Sequence, residues 1–292
     1  MKHIITLLVA ITMALPTYAN RLVVGGKGYT EQLLIATITS EYLRALGYSI
    51  DQRDGMGSTV LRTAQENGQV DLYWEYTGTG LITFNKVTDV MSPDEAFARL
   101  QQIDAEKGLI WLNRSKANNT YALAMRREFA EARNLKTISD MMAWLLTEEG
   151  QRAQLATNVE FGARDDGLKS LLKAYDFDLP RHNLRKMNTG LLYQALRDEI
   201  VEITMVFATD GRVKAYDFYI LQDDEQHFPN YAMTPVVRQD TLDKNPDLAD
   251  QLNALAAIID DEIMSGLNAR VDVDGISIER VAEEFLQTYN LR

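Results

Sequence analysis

Cysteine is missing from the chain altogether, which excludes a disulfide framework, a thiol nucleophile and a thiolate metal site. Histidine is scarce: besides His3 near the amino terminus there are His182 and His227, each alone in a loop-like stretch and outside any HExxH spacing. No GxSxG elbow presents a serine, so hydrolysis leaves no trace in the motifs, although carboxylate pairs assembled by folding stay open. Basic charge is also short. Lys and Arg total 30 against 42 acidic residues, a net charge of −12. Such a surface repels phosphate backbones and anionic lipid, so nucleic acid is not an expected partner. Beyond residue 19, no stretch approaches the roughly 20 apolar residues that spanning a bilayer requires.

What is present begins with MKHIITLLVAITMALPTYA. A basic start at Lys2, an apolar run from Ile4 to Leu15 and small residues leading to Ala19 read as a secretory signal peptide, residues 1–19, cut after Ala19. Loss of Lys2 takes the mature charge to −13. No cysteine follows the leader to carry a lipid anchor. A freely diffusing periplasmic monomer is therefore expected. With 46% apolar residues, a mature chain of about 270 residues can bury two cores more readily than one.

Beyond the leader, a short β-rich run reaches Gly25-Gly26, and Leu34, Ile38, Tyr42 and Leu46 then recur as one buried helical stripe that Gly47 ends. A strand over Tyr48 to Arg53, a helix from GMGST to about Asn67 and a strand VDLYWEY follow. This is the alternation of a parallel sheet covered by helices. It repeats with a helix at Pro93 to Lys107, strands at Leu109 to Leu112 and Thr120 to Arg127, and helices near Ile138 to Leu146, Gly167 to Tyr175 and Gly190 to Arg197. Strands near Leu155 to Val159, Leu184 to Met187 and Ile203 to Phe207 lie between them. MTPVVR, a long helix of about Leu248 to Met264 and a last helix from Ser277 to Tyr289 complete two α/β lobes.

Two stretches carry candidate chemistry. GGKGYTEQ, Gly25 to Gln32, lacks the spacing of a phosphate loop, yet Lys27 sits in a glycine turn ahead of a helix, where free N–H groups favour an anion. A bound carboxylate and a plain capped turn are both open. In DLYWEYTGTG, alternation puts Leu72, Trp74 and Tyr76 on one face and Tyr73 and Glu75 on the other. Tyr73 and Trp74 are expected in the core. Tyr76 ends the strand, where open α/β sheets place ligands. The acidic runs at Glu148 and at Asp223 to Glu225 read as solvated surface.

Taken together, GGKGYTEQLLIA, YWEYTGTG, ANNTYALAMRR, EFGARDDGL, VFATDGRV and YAMTPVVR, in that order from Val23 to about Arg238, resemble the periplasmic substrate-binding proteins of ABC importers for glycine betaine, choline, carnitine and related quaternary amines. The resemblance implies a type II periplasmic binding protein fold, two α/β lobes hinged about an interlobe cleft. Lobe I would take residues 20–118 plus 232–292 and lobe II residues 119–231. It further implies an aromatic box of Tyr76, Tyr121, Phe207 and Tyr231, with Asn119 beside it, and Lys27, Thr79 and Arg164 on the ligand's carboxylate. An ABC permease of the inner membrane, with its ATPase, would be the partner. No catalytic residue, metal or cofactor is implied. Phe207 stands where relatives commonly carry tyrosine, and Asn119 where some carry aspartate, so the box loses a hydroxyl and a negative charge.

The residue types suit that ligand class. A trimethylammonium group has no N–H donor, so it is held by the negative faces of aromatic rings. A buried carboxylate needs cations, and a guanidinium such as Arg164 can grip two oxygens at once. Choline would leave Lys27 and Arg164 unpaired, which favours betaine-like zwitterions. An exported hydrolase and a ligand-free interaction protein are the competing classes.

Overall fold

The computed structural model describes residues 21–89 and 91–291. The leader lies outside the described residues. Among the described residues, no helix is long and apolar enough to cross a membrane.

Strand β1 (Arg21–Lys27) leads into helix α1 (Thr30–Ala45), whose Leu34, Ile35, Ile38 and Leu43 are buried at its three-to-four-residue period. β2 (Ser49–Met56), helix α2 (Ser58–Glu66), β3 (Leu72–Tyr76) and β4 (Leu109–Trp111) follow. The chain then crosses to a second sheet built from β5 (Tyr121–Arg126), β6 (Leu155–Thr157), β7 (Leu184–Lys186), β8 (Ile203–Phe207) and β9 (Phe218–Ile220). It returns with β10 (Met233–Arg238).

The two five-stranded sheets have orders β2-β1-β3-β10-β4 and β7-β6-β8-β5-β9. Each is largely parallel with the strand adjoining a crossing laid in antiparallel: β10 against β3 and β4, β5 against β8 and β9. This is the two-lobed α/β arrangement of type II binding proteins. The two crossings are themselves paired, through Asn118 and Ala232 and through the Asn119 amide on the Tyr231 carbonyl at 3.2 Å. Such a two-stranded connection can bend while holding the lobes in register.

The β3 aromatics fall as alternation requires. Trp74 packs toward α1 and donates its indole N–H to Thr39 at 2.8 Å, while Tyr73 packs on the opposite face against Leu61 of α2. Both are fully buried. The one long helix expected over Leu248 to Met264 is instead two, Leu248–Ile258 and Asp261–Asp272. Ile259 is extended and Asp260 caps the second helix by accepting from the Ile263 amide at 2.8 Å. The break anchors the first crossing: the Ile259 carbonyl accepts from the Lys116 amide at 3.0 Å, and Asp261 from the Asn118 amide at 2.7 Å. A short capping side chain inside an unbroken apolar period gives little warning of such a break.

Candidate functional site

The carboxyl ends of the parallel strands in both sheets face one another beside the crossings, the place where open α/β sheets bind ligands. A small cavity lies there. Lys27 ends β1, Tyr76 ends β3, and Thr79 opens a π-helical turn, Thr79–Phe84, that the sequence reading missed. Asn119 and Tyr231 stand on the two crossings. Tyr121 begins β5, which runs antiparallel and so starts at the same edge; Phe207 ends β8, and Arg164 follows β6. All eight line this one cavity.

Its aromatic side is continuous. Tyr121 contacts Phe207 with ring centroids 5.3 Å apart and meets Tyr231 edge-on at 5.4 Å. Tyr29, absent from the sequence-derived set, stacks on Phe207 at 5.5 Å and 5°. Its place in the GGKGYTEQ turn, two residues after Lys27, was the available signal. Tyr29 donates its hydroxyl to that of Tyr76 at 2.9 Å. Gly78 has an ordinary helical backbone, and its need is for space: a β-carbon there would lie 2.6 Å from the Tyr231 ring. Burial, together with the neighbouring Glu31 for Tyr76 and Asp166 for Tyr231, raises both phenols well above their ordinary range. At physiological pH they are neutral rings with electron-rich faces.

The cationic side differs from the expectation. Lys27 and Glu75 form a buried ion pair at 2.5 Å, with the Lys27 ammonium 4.9 Å from the Tyr76 ring centroid. Arg164 gives its Nε and Nη2 edge to Asp166 at 2.6 and 2.5 Å and a further Nη2 hydrogen bond to Thr79 at 3.2 Å. Its Nη1 has Glu160 at 3.4 Å, which leaves that nitrogen to meet a ligand. The two-oxygen grip is therefore already occupied by the protein. Nor would a ligand lacking a carboxylate strand either cation, because Glu75 and Asp166 neutralise them. Sequence could not show the first partnership, since Lys27 and Glu75 meet only through the pairing of β1 with β3.

The lobes touch across this cavity. Thr79 of the first accepts from Arg164 of the second, and Lys86 pairs with Asp165 at 2.7 Å. Behind the rings, Glu31 of α1 accepts from the Tyr76 hydroxyl at 2.6 Å and from Asn119 Nδ2 at 2.7 Å, and bonds Thr209 of the second lobe. Burial raises the Glu31 carboxyl above its ordinary range, and hydrogen bonds from Thr209, Tyr76 and Asn268 offset this only in part. Glu31 and Thr209 also escaped the sequence reading.

Residues 20–288 match the family described as the substrate binding domain of ABC-type glycine betaine transport systems. A glycine-betaine-binding protein of Pseudomonas aeruginosa is 38% identical over 277 residues, covering 94% of this chain and 89% of its own. The glycine betaine-binding protein YehZ of Escherichia coli is 32% identical over 292 residues, covering 97% and 95%. A crystal structure described as a glycine betaine/carnitine/choline ABC transporter superposes with a TM-score of 0.75 at 28% identity, over 92% of this chain and 99% of that one.

Proposed function

We propose, from the premise that this chain belongs to the substrate-binding domain family of ABC-type glycine betaine transport systems, that it captures glycine betaine or a related quaternary ammonium zwitterion in the periplasm. It presents that ligand to an inner-membrane ABC permease and its ATPase for osmoprotectant uptake, as a monomer and without chemistry on the ligand. The observation that carries the reading is the convergence of Tyr76, Tyr121, Phe207 and Tyr231 with Lys27 and Arg164 on one buried cavity. The relatives named above support the ligand class.

Tyr76, Tyr121, Phe207 and Tyr231 surround the trimethylammonium, and Tyr29 extends the box. Each ring contributes about 0.5–2 kcal/mol once water is excluded. Lys27, Thr79 and the Nη1 side of Arg164 receive the carboxylate, and Asn119 borders the box. The rings and cations belong to both lobes, residues 20–118 plus 232–292 and residues 119–231. Ligand therefore binds the closed state better than the open one, the differential affinity that a population shift requires. Closure is the signal a permease can read.

Titration calorimetry with glycine betaine tests this: saturable binding is expected, weakened at least about tenfold by Tyr121→Ala through the lost cation–π contact and packing. No heat with glycine betaine, choline or carnitine refutes it. A second reading, choline as ligand, is favoured by one observation, the pairing of Lys27 and Arg164 with protein carboxylates, since choline brings no carboxylate of its own. The ratio of choline to glycine betaine affinity separates the two.

A further inference from the structure

Among the described residues, five carboxylates are buried: Glu31, Glu75, Asp104, Asp166 and Asp210. Four carry a basic partner, Lys27 on Glu75, Arg62 on Asp104, Arg164 on Asp166 and Arg212 on Asp210. Among the described residues, Glu31 has none. Taking a charge out of water without a counter-charge is costly, so an exception among otherwise paired groups asks where the balancing charge comes from.

Four side-chain donors converge on the Glu31 carboxyl. It accepts on Oε1 from the Tyr76 hydroxyl at 2.6 Å and Asn119 Nδ2 at 2.7 Å, and on Oε2 from Asn268 Nδ2 at 3.1 Å and the Thr209 hydroxyl. The Tyr76 hydroxyl already receives Tyr29 and Gln32 Nε2, so its own proton is committed to Glu31. The second position of α1 adds the favourable end of a helix dipole.

Glu31 also stands where a cationic ligand would feel it. Tyr76 and Asn119, which it holds, line the ligand cavity. Glu31 itself lines a smaller space behind, shared with Tyr29, Asn119 and Phe207. Fixing Asn119 by its Nδ2 leaves Oδ1, a buried acceptor with no partner, as the free end of that amide.

We propose that Glu31 is the counter-charge of the bound ligand's cation, a specificity-determining carboxylate set behind the rings by which the site tells a quaternary ammonium from a neutral body of the same shape. This rests on the quaternary-amine reading of the cavity. Tyr76 and Asn119 relay the charge of Glu31, one by polarising its ring, the other by turning its carbonyl dipole.

The test uses two ligands that differ in that charge, glycine betaine and the anion of tert-butylacetic acid, its carbon isostere. Calorimetry of the mature protein measures the ratio of their affinities. Glu31→Gln is expected to weaken glycine betaine by about tenfold or more, the order of a charge–charge interaction little screened by water, while the carbon isostere binds as before or tighter. Equal weakening of both ligands, which a purely structural role predicts, overturns the proposal, and so does an unchanged ratio. Should Glu31→Gln not fold, the double variant Glu31→Gln with Asn119→Asp restores a carboxylate across the same hydrogen bond; a ratio near wild type supports the proposal and a collapsed ratio overturns it. Wild-type protein that binds no quaternary amine would instead overturn the reading of the cavity.

Discussion

Replacing Arg164 by leucine separates what that residue does for the fold from what it does for the ligand. Its side chain and that of Asp166 are 5% and 2% exposed, so removal of the guanidinium leaves a buried carboxylate whose remaining side-chain donor is the Tyr231 hydroxyl at 2.7 Å. Stranding one member of a buried pair costs about 3–5 kcal/mol. At about 2–4 °C per kcal/mol for a chain of this size, Tm should fall by about 6–20 °C. Adding Asp166→Asn removes the stranded charge and keeps an oxygen for Tyr231. The remaining cost is that of ordinary hydrogen bonds, about 1 kcal/mol, and Tm should recover to within about 2–4 °C of wild type. Glycine betaine affinity should not recover. The lost charge-assisted bond from Arg164 is worth about 1.5–3 kcal/mol, or about 10- to 150-fold, in both variants. Differential scanning calorimetry reads the first effect and titration calorimetry the second. Full binding by the double variant would refute Arg164 as a ligand contact, and an unchanged Tm in Arg164→Leu would refute the reading of the buried pair.

Gly78→Ala places a β-carbon where the Tyr231 ring now sits, 2.6 Å away, so the ring must move. Because the backbone there suits alanine, glycine betaine affinity should drop about tenfold, one cation–π contact, with little change in circular dichroism; unaltered affinity would remove Tyr231 from the box. Burial lowers the pKa of His227, with Asp223 and Asp166 opposing. The unfolded chain therefore takes up the proton first, and stability is lost as pH falls from about 6.5 through the lower folded pKa. His227→Gln should flatten the pH dependence of Tm between about 7 and 5, and a slope equal to wild type would contradict that assignment.

Several site residues were legible because they sit where a local pattern ends. Lys27 and Tyr76 close β1 and β3, whose apolar alternation stops at glycines, whereas Phe207, which closes β8, was reached only through the family resemblance. Trp74 and Tyr73 could be assigned to opposite faces since a strand has a period of two. The break at Ile259 and Asp260 was hidden, because apolar spacing continues through it and the cap is formed by a common acidic residue.

The sequence by itself determined a cysteine-free α/β chain and the kinds of side chain, aromatic and cationic, that reach the sheet edges. Period and motif are properties of neighbouring residues. Only tertiary structure decided how charge is shared: Lys27 with Glu75 through strand pairing, and Glu31, without a cation among the described residues, facing donors from β3, the first crossing, the second lobe and a carboxyl-terminal helix. Burial and partnership set the cost of a charge, and both depend on which distant segments fold against it.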